Sequence, residues 1–395
     1  MVVGIVAEYN PFHNGHKLQI DYAINELHAD AVVVAMSGSF TQRGEIACFD
    51  KYTRAEAALK CGADIVFEIP TIFATSSARE FASAGVALLA ATGIVDTLLF
   101  GGESADENLF ISSAKKLIEL EKTGALDSKI KELIASGETY AQARSTALDE
   151  YIPEEIKSSP NNILGLEYCR YILEKELDIN IAVLKRMNNN YHDTALTGDI
   201  SSATAIRKSL CKGEAISGVP VEAADIYTNA VFVDANDISE ILHYKLLSTS
   251  EYHKYLDCSC DLADRIKNNI KDFVDFKSFC SLLKTKNINY SRIARVMTHI
   301  LLDITTEDFE TAKEAGYITY LRMLGFSKAG AEYLNKIKEQ SPLPLITKAS
   351  DAVDYHDIFS SDVYRIIKTS KEHVAFPNEY TRKYNLTNIK RTPEF

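Results

Sequence analysis

The chain has 395 residues, 46% of them hydrophobic and 25% charged, which excludes a disordered polypeptide, a collagen-like fibre and a disulfide scaffold. Its length suggests two or three domains. A formal net charge of −12 argues against indiscriminate coating of nucleic acid or anionic membrane, while leaving room for RNA on a local basic face.

Met1 to Glu8 lacks a basic n-region and a cleavage signature, so no secretory signal is expected. Val2–Ala7 reads as a first buried strand, followed by a helix at Lys17–Leu27. Strands at Ala31–Met36, Asp64–Ile69, Thr97–Phe100 and Ile179–Leu184 then alternate with helices at Lys51–Cys61, Ser77–Ala91 and Glu107–Glu121. Such alternation implies βαβ units, hence a mostly parallel sheet covered on both faces, with ligands beyond the carboxyl ends of the strands. The apolar run from Phe81 to Gly102 contains Gly85, Gly93 and Asp96 and turns from Ala-rich to β-like. It fits a helix, a turn and a strand better than a membrane span.

Residues 124–175 are largely helical and resemble an insertion before the last strand. The texture changes after Arg207, and Gly213 to Pro220 reads as a hinge. Leu242–Leu247, Tyr290–Leu302 and Lys328–Lys338 then follow a helical pattern with few strand signals. The expected organisation is an α/β, Rossmann-like parallel sheet domain over 1–219, with a helical insertion near 124–175, and a mostly α-helical domain over 220–395. The seven cysteines are odd in number and scattered, and Cys258-Ser-Cys260 has no second ligand pair. Neither a metal site nor a disulfide framework is expected, and a cytoplasmic location fits.

The first strand runs into Glu8-Tyr-Asn-Pro-Phe-His-Asn-Gly-His16, an H-x-G-H arrangement at a strand-to-helix turn. Gly15 lets a nucleotide approach the backbone, the helix N-terminus offers N–H groups to phosphate, and His13 and His16 can steady charge on a departing pyrophosphate. A second phosphate-binding candidate is Ile200-Ser-Ser-Ala-Thr-Ala-Ile-Arg207, where Ser202 opens a helix and Arg207 lies one turn in. The loop Met36-Ser-Gly-Ser-Phe-Thr-Gln-Arg-Gly-Glu45 follows the second strand on the same rim, and Gln42, Arg43 and Glu45 are candidates for substrate contact.

The H-x-G-H and the Ser-rich helix start match the two phosphate-binding signatures of the H-x-G-H nucleotidyltransferase superfamily. With Gly62-Ala-Asp-Ile-Val-Phe-Glu68, Phe100-Gly-Gly-Glu103, Ser159-Pro-Asn-Asn-Ile-Leu-Gly165, Arg292-Ile-Ala-Arg295 to His299 and Tyr320-Leu-Arg-Met-Leu-Gly-Phe326 in one order, the chain resembles the bacterial tRNA(Met) cytidine acetate ligase family. Ala203 is an extra residue relative to the superfamily's I-S-S-T-x-I-R and agrees with the ligase family.

The resemblance implies ATP-dependent activation of acetate to acetyl-adenylate and transfer of the acetyl group to N4 of the wobble cytidine of elongator tRNA(Met). ATP is a substrate and carries Mg2+; neither a membrane nor DNA is implied as a partner. The family's ATP-binding stretch falls on Ala7, Glu8, Tyr9, Asn10, Pro11, Phe12, His13, Asn14, Gly15, His16, Lys17, Leu18, Gln19 and Ile20, with further contacts at Gly101, Asn161, Asn162, Arg186 and Met187. His13 and His16 are expected to hold the triphosphate, with Lys17, Ser202 and Arg207 assisting. The alternative is a nucleotidyltransferase that adenylylates a small phosphorylated cofactor precursor, for which the C-terminal half would be needlessly large.

RNA needs a local basic surface. Arg292 and Arg295 sit one turn apart on a helix, and the tail adds Lys368, Lys371, Arg382, Lys383 and Arg391 interleaved with Tyr364, Tyr380 and Tyr384. Cations with aromatics suit splayed single-stranded bases, so Arg292, Arg295, Lys383 and Arg391 are the expected tRNA contacts.

Overall fold

Runs of Val, Ile, Leu and Phe in the N-terminal half form five mutually parallel strands, β1 (Val2–Ala7), β2 (Ala31–Ser37), β3 (Ile65–Ile69), β4 (Thr97–Gly102) and β5 (Asn180–Lys185). The computed structural model describes residues 1–138, 140–157, 159–186, 201–350 and 353–387. β2 and β3 are buried along their whole length, as strands covered on both faces must be. The order is β5-β4-β1-β2-β3, then β6 (Leu321–Ser327) and β7 (Leu345–Ile346), with β8 (Asn385–Thr387) also paired to β6. The chain winds from β1 through β3 on one side and places β4 and β5 on the other. The carboxyl end of β1 is therefore the switch point at which a crevice opens.

Packing against the sheet is tight where side chains are small. A Cβ on Gly85 would lie 2.6 Å from Val6 Cγ1, so the bare glycine is what lets the Ala-rich helix Ala78–Ala91 sit on β1. The apolar run through residue 102 thus resolves into that helix, a turn at Gly93 (φ +72°) and β4. Among the described residues no helix is long and apolar enough to cross a membrane. Within the stretch expected as an insertion, the helix Pro160–Glu174 packs on Ala78–Ala91, on Glu107–Lys122 and on β4. It is a layer of the core.

The C-terminal half is mostly helical, yet it supplies three strands to the same sheet. β6 runs antiparallel to β3, while β7 and β8 run parallel to β6. Tyr290–Leu302 shows why its helices form. Asn289 caps it by accepting the Arg292 N–H at 2.9 Å, and Ile293, Val296, Met297, Ile300 and Leu301 recur at helical spacing and are buried. Each such side chain contributes about 1.5–3 kcal/mol on burial.

Candidate active site

His13 is the N-cap of the helix Asn14–Asn25, which begins ahead of the expected Lys17 because the histidines themselves cap it. The Gly15 N–H donates to His13 Nδ1 at 3.0 Å, and the His13 N–H donates to His16 Nδ1 at 3.3 Å. Because each Nδ1 accepts, the ring proton of each neutral imidazole belongs on Nε2. The two rings stack with centroids 3.7 Å apart, and Tyr9 meets His16 edge-on at 4.7 Å. Burial first, then Arg186 and Arg207, push His13 down to about 3. Burial, His13 and Arg186 hold His16 well below its ordinary value. At neutral pH the pair therefore offers two oriented Nε2–H donors, and the positive charge of the site resides on Arg186 and Arg207.

The turn that presents the histidines is built from the core outward. Tyr9, Asn10, Pro11, Phe12 and Ile20 are buried, His13 to Lys17 are half-buried, and Leu18 is exposed. The Phe12 N–H donates to Tyr227 Oη at 2.9 Å, the Asn14 N–H to the Gly218 carbonyl at 3.1 Å, and Gln19 Nε2 to the Leu99 carbonyl at 3.0 Å. The Asn10 side chain accepts from the Cys48 N–H at 2.8 Å, and Glu8 accepts from the Gln42 N–H at 2.7 Å. Lys17 is engaged with Asp21, one turn along its own helix, and not with the histidine pair.

Arg207 joins the second signature to the first. Its Nη1 donates to the Asn10 carbonyl at 2.6 Å. It belongs to the helix Ala203–Cys211, whose N-cap Ser202 accepts from the Ala205 N–H at 3.1 Å. Ser201, just ahead, holds a buried hydroxyl with no hydrogen-bond partner among the described residues. Arg186 follows β5, and its N–H donates to the Gly102 carbonyl at 2.9 Å. A Cβ on Gly101 would meet Arg186 Cγ at 3.5 Å, Arg186 Cδ at 3.8 Å and the Leu184 carbonyl oxygen at 4.0 Å, all ordinary contacts, so no neighbour among the described residues demands that glycine. Met187 lies outside the described residues.

The two asparagines differ. Asn162 is fully buried; its Oδ1 accepts from the Glu103 N–H at 2.8 Å and its Nδ2 donates to the Glu155 carbonyl at 2.5 Å, so its amide clamps the turn after β4 to the short helix Glu154–Lys157. Asn161 Nδ2 is buried with no hydrogen-bond partner among the described residues. Of the pair, Asn161 is the one with hydrogen-bonding capacity to spare.

Arg54 is the residue that sequence reading missed. It is fully buried and donates to the carbonyls of Glu8, Phe49 and Gly38, tying β1 to the loop after β2. Its signal was a cation among Ala55, Ala57, Ala58 and Leu59, all buried. That loop in turn docks on the helix Tyr290–Leu302, where Thr298 Oγ1 donates to the Gly44 carbonyl at 2.8 Å. Arg43 and Glu45 of the same loop line a cavity of about 250 Å³ that Arg207 and Tyr290 also line.

The cations expected on RNA are largely occupied within the protein. Arg292 donates to the Asp257 carbonyl at 3.2 Å, and Arg295 pairs with the Asp257 carboxylate at 3.4 Å. Lys368 is held by Asp50 and Lys371 by Asp237, and Tyr364 is buried with its hydroxyl on the Ala47 carbonyl. Lys383 is exposed, whereas Arg391 lies outside the described residues.

The profile of the HIGH nucleotidyl transferase family matches residues 1–379. A relative from Geobacillus sp. (strain WCH70) named tRNA(Met) cytidine acetate ligase is 34% identical over 364 residues, 88% of this chain and 89% of that one. One of the same name from Clostridium perfringens is 32% identical over 391 residues, 93% and 96% of the two chains. The crystal structure of Thermotoga maritima TmcAL, in its apo form I, superposes with a TM-score of 0.90 at 28% identity, over 98% of this chain and all of that one. The same protein bound with alpha-thio ATP superposes with a TM-score of 0.87.

Proposed function

The chain belongs to the HIGH nucleotidyl transferase family and within it to the tRNA(Met) cytidine acetate ligases, and from that premise we propose that it is a ligase forming N4-acetylcytidine at the wobble position of elongator tRNA(Met). Acetate is activated with ATP. An acetate oxygen attacks the α-phosphorus, forming an O–P bond as the bond to the β-phosphate bridge breaks, and pyrophosphate leaves. The cytidine N4 amine then attacks the acetyl carbon, AMP departs and the amine loses a proton.

The observation that carries this reading is the pair of tautomer-fixed imidazoles beneath two guanidinium groups. Neutral Nε2–H donors can bind phosphate oxygens without giving up a proton, while Arg186 and Arg207 neutralise charge as pyrophosphate forms. Positioning and electrostatics are what phosphoryl-group chemistry asks of a protein. Ser201 and Ser202, at the helix opening that Arg207 shares, add a hydroxyl and a positive dipole end. Magnesium enters as the ATP complex. Gly101 leaves strand backbone bare for the adenine, and Asn161 supplies an amide for the base or ribose edge.

Replacing His16 with Ala should abolish acetate-dependent exchange of label between pyrophosphate and ATP while far-UV circular dichroism stays native. Near-normal exchange would remove the histidine pair from the chemistry. Adenylylation of a small phosphorylated precursor is disfavoured because the relatives named tRNA ligases align across the C-terminal half as well.

A further inference from the structure

We propose that the cavity between the helices Ala203–Cys211 and Tyr290–Leu302 seats an extruded nucleotide of the acceptor RNA. This rests on the reading of the chain as an RNA-acetylating ligase and adds to it the place where the RNA is held.

Its position comes first. Thr204, Arg207, Lys208 and Cys211 all line it and fall on one face of their helix at i, i+3, i+4 and i+7. Arg207 also grips the Asn10 carbonyl of the histidine turn, so the cavity opens directly beside the activation site. Its opposite wall comes from the loop after β2 and from the helical half, including Lys277 and Tyr290. A ligand there bridges both halves of the molecule.

The chemistry of the walls fits a nucleotide. Arg43, Arg207, Lys208 and Lys277 face two carboxylates, Glu45 and Asp234, which makes this a basic spot on a chain of net charge −12. Lys277 is paired with Asp234 at 2.6 Å, whereas Lys208 is exposed and enters no ion pair among the described residues. Phe232 and Tyr290 put two aromatic rings on the wall, the kind of surface that unstacked bases favour. A base whose exocyclic amine is to be acylated must leave its stack, and a pocket beside the reactive centre is where it would go. Arg292 and Arg295, tied to Asp257, lack this freedom.

The test separates the two half-reactions. Lys208→Glu and Tyr290→Leu are assayed for acetate-dependent ATP–pyrophosphate exchange, which needs no RNA, and for acetyl transfer to an RNA stem-loop carrying the target cytidine in its loop. Lys208→Glu should raise KM for the stem-loop about tenfold and flatten the log–log dependence of KM on salt by about one unit, with Lys208→Arg restoring both. Tyr290→Leu should raise the same KM, and in both variants KM for ATP in exchange should move less than twofold. An unchanged stem-loop KM in Lys208→Glu, or exchange and transfer falling together, would overturn the assignment of the cavity. A wild-type chain that exchanges label but acetylates no RNA would overturn the ligase reading itself.

Discussion

Arg54 Nη1 donates to the Glu8 carbonyl oxygen at 2.5 Å, with the side chain wholly inside the protein. Its Nε reaches the Phe49 carbonyl at 2.9 Å, and its Nη2 binds the Gly38 carbonyl. No carboxylate pairs with it among the described residues. Three carbonyl oxygens accept from its guanidinium, so it is held in place by geometry. Lys keeps the charge but offers donors from a single point and cannot span three acceptors. Arg54→Lys should cost about 2–4 kcal/mol in urea unfolding, since buried carbonyls lose donors. It should also lower the rate of ATP–pyrophosphate exchange, because the histidine turn and the loop after β2 lose their common tie.

The histidine pair gives a pH dependence of definite sign. Both imidazoles are neutral when folded, His13 being pushed down to about 3 chiefly by burial. In the unfolded chain they take up protons near the usual histidine value of about 6.5. Stability is therefore full above that value and is lost as pH falls from it toward 3. The urea midpoint of the wild type should fall more steeply between pH 6.5 and 4.5 than that of a His13→Asn, His16→Gln double variant. That variant retains capping residues at both positions but cannot titrate. Equal slopes would mean the imidazoles take up protons in the fold as readily as in the unfolded chain.

Asn161 and Asn162 should separate cleanly. Truncating Asn162 to Ala takes one partner from the Glu103 N–H and one from the Glu155 carbonyl. The expected loss is about 0.5–1.5 kcal/mol for each of these part-buried hydrogen bonds. Asn161→Ala removes an Nδ2 that has no hydrogen-bond partner among the described residues. Stability should hold or improve slightly, while KM for ATP rises. Paired urea unfolding and exchange kinetics would show it, and an unaltered KM in Asn161→Ala would take that amide out of the ATP site.

What could be read from sequence was local. The histidine turn, the capped helix at Ser202 and the strand ends are each defined by residues close in the chain, and they assemble as their spacing suggests. β6 was not recognised as a strand because Arg322 breaks its apolar run. Arg322 is buried there with its Nη2 on Tyr52 Oη and Glu379, both distant in sequence. Arg292 and Arg295 illustrate the converse: their partner Asp257 lies 35 and 38 residues away in a turn, and no local pattern announces it. The cavity likewise brings together Arg43, Arg207 and Lys277, which no stretch of sequence joins.

Gly44 is where the loop of the sheet half meets the helical half. It adopts φ +74°, which an L side chain resists, and a Cβ there would lie 2.2 Å from the Arg295 backbone nitrogen and 2.4 Å from the Ala294 carbonyl carbon. These neighbours are helix backbone and cannot swing aside as a side-chain tip would. Gly44→Ala must therefore push the loop off the helix, at a cost of about 2–4 kcal/mol from strain and overpacking together. Arg43 and Glu45 flank the displaced residue and both line the cavity, whereas the histidine turn, although it meets this loop through Glu8 and Arg54, has further anchors in Arg207 and Tyr227 that the displacement leaves in place. Transfer to RNA should consequently fall well before ATP–pyrophosphate exchange does. Measuring both rates on Gly44→Ala at a temperature where circular dichroism shows it folded decides the matter. Equal losses would place the loop in acetate activation, and intact transfer would show that the docking of Gly44 has no part in presenting the RNA.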